Sequence, residues 1–448
     1  MISLRRRLFY TTFLIIFFII TPLLILYALG YSVSNGFKLQ KTGILVIASE
    51  PKYAKIYLNG ELQRDFLKQF YNKDSYKTTP QKIKDLTPGE YNIKLELDGY
   101  WPWEKKLAVW PGQSTFAEDV KLFKKDTPVS LLQGEKNIST NAKRTDILTW
   151  NKKEAAIINL ASNEIQNINL GSSTLPENQD AGWAPNSNKI LLGNFLIDEN
   201  NQTTDLKAQI DKQGKNFQWD NYSDEYIYYT NNTGLSKYRI ADKAVTKIID
   251  STNVGNFFAK RDFIYFLSNE KDATILNILD TQEKKISNKI NLPLSSYSFI
   301  NKDQDLLNLF DDKHNMLYIL DVNSSFKQLK DSLSNVSKKN YWINDTQLLY
   351  ANDFEIWMYD LESSRKKLIT RISKKITNVA WLPTNGHILF STANSINVIE
   401  LDDREKYNIT KLIETDQIKN SVLNKDGDTL YFDATINGEK GVYKLSID

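Results

Sequence analysis

His314 in FDDKHNMLYIL and His387 in TNGHILF are the only histidines of the chain, and there is no cysteine. Nucleophilic hydrolysis needs an activated nucleophile beside a base. No Gly-x-Ser-x-Gly elbow accompanies either histidine, so Ser-His-Asp and Cys-His chemistry have no support. His-x-x-His and His-Glu-x-x-His zinc spacings are absent, as is a Gly-rich phosphate loop. Each histidine starts or precedes a strand and reads as an ordinary blade residue. Carboxylates remain, because glycoside cleavage requires only two acids at the right separation. Asp311 with Asp312, Asp402 with Asp403 and Asp426 with Asp428 are candidates, but acids recur between strands all along the chain, where turns and solvation use them. DENNQTTD, Asp198 to Asp205, alternates oxygen ligands yet lacks the Gly and the closing Glu of a calcium loop. The sequence therefore nominates no catalytic, cofactor-binding or metal residue. Its candidate ligand contacts are the aromatics Tyr100, Trp101, Trp103 and Trp110, since flat rings stack on sugar faces. Filling a core or an interface is the competing use of the same four. Trp101 and Trp103 share one strand face by period two.

The elements that must position these residues begin at the N-terminus. Leu8 to Gly30 carries no charge and is long enough as a helix to cross a hydrocarbon core of roughly 30 Å. Arg5, Arg6 and Arg7 precede it, and cationic residues stay on the cytoplasmic side. The expectation is a cytoplasmic tail over 1–7, a transmembrane helix over 8–30, a polar linker over 31–42 and everything later outside the cell membrane. A cleaved signal peptide shares the charged start, and Ala28-Leu29-Gly30 offers a small-x-small site. Its apolar run is usually about half this length, so the reading is an uncleaved anchor. Pro22 is tolerated in such a helix. A tail of seven residues holds no output domain, which argues against a transmembrane sensor.

Lys+Arg of 57 against Asp+Glu of 54 leaves +3, too balanced for a nucleic-acid partner. Zero cysteine excludes disulfide staples. With 12% aromatic residues and no Ala-rich or Leu-rich heptads after Gly30, the exported part reads as β structure. GILVIAS (Gly43 to Ser49) is a short apolar strand, and Asn59-Gly60 fits a type I′ hairpin turn. After Pro88-Gly89, Tyr91, Ile93, Leu95 and Leu97 face one way while Asn92, Lys94, Glu96 and Asp98 face the other. Pro111-Gly112 is expected to close a further hairpin onto FAEDVKLF, Phe116 to Phe123.

Gly-x-Leu-x-Ile at Gly43 to Ile47, Ile56 to Gly60, Thr-Thr-Pro at Thr78 to Pro80, Leu-x-Pro-Gly-Glu-Tyr at Leu86 to Tyr91 and Asp-Gly-Tyr at Asp98 to Tyr100 together resemble the PEGA domain over 43–124. The resemblance implies a small β-sandwich of extracytoplasmic proteins with a binding or spacer role and no catalysis. Glu61 to Lys77 departs from the pattern as an insertion carrying Phe66, Phe70, Tyr71 and Tyr76.

From about Asp126 a repeat appears. Trp183, Trp219, Phe257, Phe299, Trp342, Trp381 and Leu423 each precede a polar turn and an apolar strand, at spacings of 36 to 43 residues and a mean of about 40. An earlier unit, Asp146 to Leu170, fits less well. The period predicts a β-propeller of seven or eight blades over 126–448, with Pro128 to Leu132 completing the last blade beside Gly441 to Ile447. Trp183 to Asn186 and Asn424 to Gly427 are similar to TolB-like and WD40-like propeller repeats. The fold expectation is thus all-β after one transmembrane helix, a PEGA-like sandwich followed by a propeller. The functional expectation is a non-catalytic binding or scaffold protein of the bacterial cell envelope, recognising an envelope protein or a cell-wall polymer and using no cofactor. A propeller hydrolase or lyase acting on surface glycans is the rival.

Overall fold

The computed structural model describes residues 4–34, 38–65, 75–171, 174–175, 181–300, 305–324, 328–383 and 386–448. They form two compact units. The first comprises 1–126 with 399–410 and 447–448, and the second comprises 127–398 with 411–446.

In the first unit a helix runs from Leu4 to Ala28 and continues through Pro22. Its Leu8–Ala28 stretch of 21 residues is long and apolar enough to cross a membrane, and no part of it is buried against protein. Gly30, at φ 79°, ends it. The segment expected to be a linker is instead a hairpin, Tyr31–Ser34 paired with Lys38–Lys41. Tyr31, Val33 and Leu39 supply alternating apolar positions, and Asn35-Gly36 in the sequence is a hairpin signal that lies outside the described residues.

The sandwich has two sheets. Gly43–Glu50 is central in one, antiparallel to Gln81–Leu86 and parallel to Ser114–Lys121. The other orders Glu61–Leu62, Lys55–Leu58, Gly89–Glu96 and Trp103–Val109. Leu45, Ile47, Ile56, Ile93 and Leu95 are fully buried between them, each such burial contributing about 1.5–3 kcal/mol. Asn59 (φ 51°) and Gly60 (φ 84°) form the expected left-handed turn. Pro111-Gly112 does not close a hairpin. Trp103–Val109 and Ser114–Lys121 belong to different sheets, so this turn carries the chain from one to the other. Of the Glu61 to Lys77 insertion, Phe66, Phe70 and Tyr71 lie outside the described residues. Tyr76 is partly exposed, with Lys55 Nζ 5.4 Å from its ring centre.

The second unit is a propeller. Among the described residues there are eight four-stranded antiparallel sheets, taken here as blades 1 to 8 in chain order. Their first strands are Asn137–Thr140, Ala181–Trp183, Lys215–Trp219, Phe257–Lys260, Tyr297–Ile300, Asn340–Trp342, Ile376–Leu382 and Gln417–Leu423. The seven sequence anchors fall on the first strands of blades 2 to 8. In blade 1 the small Thr140 stands opposite Ile147, where blades 2, 3 and 5 to 8 set a large anchor opposite the corresponding residue, and its repeat is faint. Every second strand contributes a fully buried aliphatic, from Ile147 through Ile190, Ile227, Ile264, Leu309, Leu348 and Ile388 to Leu430. Val129–Gln133 is the fourth strand of blade 8 and pairs with Glu439–Ser446, so the ring closes as expected and the last blade has its full four strands.

First strands expose unpaired backbone groups toward their neighbours, and side chains satisfy several of them. Asn378 Nδ2 donates to Ser421 O at 3.0 Å, Asn420 Nδ2 to Ile138 O at 3.2 Å, Trp219 Nε1 to Gly182 O at 2.9 Å, and Asn256 Nδ2 to Tyr297 O at 2.7 Å.

Candidate functional site

The four candidate aromatics of the sandwich do not share one surface. Trp103 is buried in the core, its Nε1 donating to Glu400 Oε2 at 3.0 Å, and Tyr100 packs against the same core. Trp101 lies before the strand and is half-buried, with Lys125 Nζ 4.9 Å from its ring centre. Trp110 alone stands out, 60% exposed at the sheet-changing corner. Period two places Trp101 and Trp103 in the same direction, but depth separates them.

The Trp103 bond is part of a buried ionic cluster. Lys105 has a fully buried side chain, and its Nζ reaches Glu400 Oε2 at 3.3 Å, Asp402 Oδ2 at 3.2 Å and Asp402 O at 2.6 Å. Arg404 grips Asp402 with two nitrogens and donates to Phe116 O at 2.6 Å. Burial pushes the Asp402 carboxyl up, but Arg404 and Lys105 outweigh it and bring it down to about 2. Glu400 Oε2 also accepts Asn408 Nδ2 at 3.0 Å, so the Lys105 ammonium, the two carboxylates and the Trp103 indole are held to one another. The cluster is a structural lock, and nothing in the spacing of Lys105 and Asp402 along the chain signalled it.

Several of the propeller's acids are likewise committed. Asp311 accepts Ser295 Oγ at 2.5 Å on Oδ1 and meets His314 Nδ1 at 2.8 Å through Oδ2, while the N–H groups of Lys313 and His314 also donate to it. Burial raises this carboxyl, and those hydrogen bonds more than offset it, leaving it below the ordinary range. The three side chains are those of a triad in the wrong order. The carboxylate stands between serine and imidazole, so the hydroxyl faces a weakly basic carboxylate and not the imidazole that would activate it. Asp312 accepts Ser298 Oγ and pairs with Lys338 at 2.5 Å. Asp428 accepts Asn424 Nδ2 and Thr429 Oγ1. Asp198 receives the N–H groups of Asn200 and Gln202, and Asp205 caps Leu206–Gln209. His387 is buried in a second strand of blade 7. Among the described residues no group of three acids or histidines could hold a metal ion.

Two open clefts lie on the propeller where blade-to-blade crossings meet the turns between second and third strands. One, of about 360 Å³, involves Asn253, Gly255, Asn269 and Tyr297 around blade 4. The larger, of about 660 Å³, is lined by Asn315, Asn335, Asn352, Phe354, Glu355 and Arg371 around blade 6. Its turn is tightly held. Asn352 Oδ1 receives the N–H groups of Phe354 and Glu355 at 2.9 and 2.7 Å, and Phe354 O and Asp353 O accept from Ile372 and Ile376 of the next crossing. Phe354 is nevertheless 46% exposed. Beside it Glu355 binds Arg371 Nε at 2.7 Å and also accepts Asn352 Nδ2 and Trp357 Nε1; these bonds, Asn352 first, keep its carboxyl low. A rigid turn thus presents an apolar ring next to an oriented ion pair. The signal in the sequence was an aromatic placed directly after Asn352-Asp353, a turn position that ordinarily takes polar residues.

No protein-family model and no curated protein matches the chain. Solved structures do. They include the "Structure of Dos1 propeller", 12% identical with a TM-score of 0.49, covering 72% of this chain and 95% of that one. The "Crystal Structure of Mitotic Checkpoint Complex" is 11% identical with a TM-score of 0.41, covering 72% and 93%. Kluyveromyces lactis Hsv2 is 12% identical with a TM-score of 0.34, covering 47% and 68%. Such likenesses carry no partner or activity to this chain, and the propeller rests on its own strand pairing.

Proposed function

We propose that this chain is a membrane-anchored, non-catalytic binding platform, exported by its N-terminal helix and presenting the blade 6 cleft to a protein partner of the bacterial cell envelope. The observation that carries the reading is the Phe354 ring held half-exposed beside the Glu355–Arg371 pair. Rigid aromatic and arginine side chains are the residue types on which protein recognition concentrates, and loops on a rigid scaffold are where it is placed. The sandwich, by its resemblance to PEGA modules, serves as a binding or spacer module. Asp311, Asp312, Asp402 and Asp428 are engaged in turn, core and ion-pair bonds, and no observation favours the glycan-cleaving rival.

The test uses the full chain in detergent-free lipid discs, mixed with solubilised envelope from its own cells. Binding should be lost when the envelope is treated with protease, and should fall at least tenfold in Arg371→Glu and in Phe354→Ala. Binding that survives protease and both substitutions would replace the protein partner with a wall polymer held elsewhere.

A further inference from the structure

The exposed Trp110 is unexplained by the sandwich core or by the propeller cleft. Its position relative to the helix is fixed by a short run of bonds. Thr42 N and Oγ1 both donate to Gly30 O, at 2.7 and 2.9 Å, just beyond the helix end. Gly112 N then donates to Thr42 O at 2.8 Å, and Ile44 N to Gln113 O at 3.0 Å. Gly43 seats against the same corner so closely that a Cβ there would lie 2.4 Å from Val109 Cγ1 and 2.5 Å from Trp110 O. The Trp110-Pro111-Gly112 turn is therefore two hydrogen bonds from the point where the apolar helix stops.

The composition of the turn suits a lipid interface. Trp110 is 60% exposed, and Leu39 on the adjoining hairpin is 48% exposed. Pro111 has no N–H to satisfy. The N–H of Gly112 goes to Thr42 and that of Gln113 to Trp110 O, so the turn brings few unpaired donors into a medium of low polarity. The Lys41 side chain lies over Gly112, where a Cβ would come within 2.7 Å of its Cε and 2.8 Å of its Nζ. Tryptophan at headgroup level with a lysine reaching for phosphate is the pairing that membrane interfaces select. At the opposite end of Gly43–Glu50, roughly 25 Å away at about 3.3 Å per residue, Tyr53 is 72% exposed with no such surroundings.

We propose that the Trp110-Pro111-Gly112 turn is a second membrane contact: the Trp110 indole enters the outer interfacial layer of the bilayer beside the helix, and Lys41 meets the lipid phosphates. The proposal rests on the reading of the helix as an uncleaved span. Trp110 then limits how far the sandwich tilts away from the bilayer, and it is unavailable to sugars.

Because the chain has no cysteine, single-cysteine variants report without background. Full-length Ile19→Cys, Tyr53→Cys and Trp110→Cys, each carrying a fluorescent label, are reconstituted in vesicles of zwitterionic and anionic phospholipid. Quenching is then compared for lipids bearing a nitroxide near the headgroup or deep in the chain. The label at 110 should be quenched mainly by the shallow probe, that at 19 mainly by the deep probe, and that at 53 by neither. A label at 110 that behaves like that at 53, while 19 is quenched deeply, overturns the proposal and leaves the span intact. A label at 19 that escapes the deep probe overturns the span and the proposal with it. In the unlabelled chain the helix contains no tryptophan, so emission quenched by brominated lipid should be largely lost in Trp110→Ala. If it is unchanged, Trp110 does not touch the bilayer.

Discussion

Val129, ahead of the first blade, lies opposite Lys444, next to the end of the chain, in an antiparallel pair that completes blade 8. Both ends of the propeller sequence are thereby held in one sheet. Leu131 and Leu132 add contacts to a cluster with Ile147, Ile158, Tyr431 and Val442 that joins blade 1 to blade 8. Replacing Val129 to Gln133 by a Gly-Ser run of equal length should lower the melting temperature of the propeller by several degrees, as expected for losing a few kcal/mol in a large domain. A comparable exchange in an exposed turn such as Lys243–Ala244 should not.

Lys105 is buried against two carboxylates, Glu400 and Asp402. Removing one partner of a buried ionic cluster leaves the others uncompensated, at a cost of about 3–5 kcal/mol. Lys105→Met, similar in volume, should destabilise the first unit by that order in denaturant titration. Lys106→Met, whose side chain is half-exposed beside Glu90, should cost less than about 1 kcal/mol.

Asp433 titrates in the opposite sense. Burial raises it to about 6, with Lys419 and Lys440 only partly opposing. Its folded-state value is above its unfolded one, so the folded state binds the extra proton and stability falls as pH rises from about 4 through 6. Asp433→Asn keeps an acceptor for the Lys136 N–H and removes the buried charge. The variant should be more stable than the parent at pH 7, by about 1–3 kcal/mol, and the difference should vanish near pH 4. A stability gap independent of pH would show that Asp433 does not ionise in that range.

Much of this fold was legible because its signals are local. Alternation from Tyr91 to Leu97 marked a one-faced strand, Asn59-Gly60 marked its turn, and the anchors from Trp183 to Leu423 marked seven blades. The eighth was faint because the small Thr140 stands where most of the others carry a large anchor. Pairings between distant residues left no such trace. Pro111-Gly112 reads as a turn whichever sheet the next strand joins, and only parallel pairing with Gly43–Glu50 decides it. The four sandwich aromatics looked alike in sequence, yet depth separated Trp103 from Trp110. The Lys105 cluster was invisible for the same reason, since only folding brings Lys105 to Glu400 and Asp402; of the Phe354 cleft only the aromatic after Asn352-Asp353 was on view, and the partner Arg371 was not.

The central claim is that the blade 6 cleft receives a protein partner outside the membrane. The most direct test places a photo-cross-linking residue at Phe354 in the full-length chain in living cells, with a second at Ile286, which is exposed on the fourth strand of blade 4. The account predicts a discrete protein adduct from position 354 that position 286 does not give and that Arg371→Glu abolishes. Identical adducts from both positions, or none from 354, would contradict it.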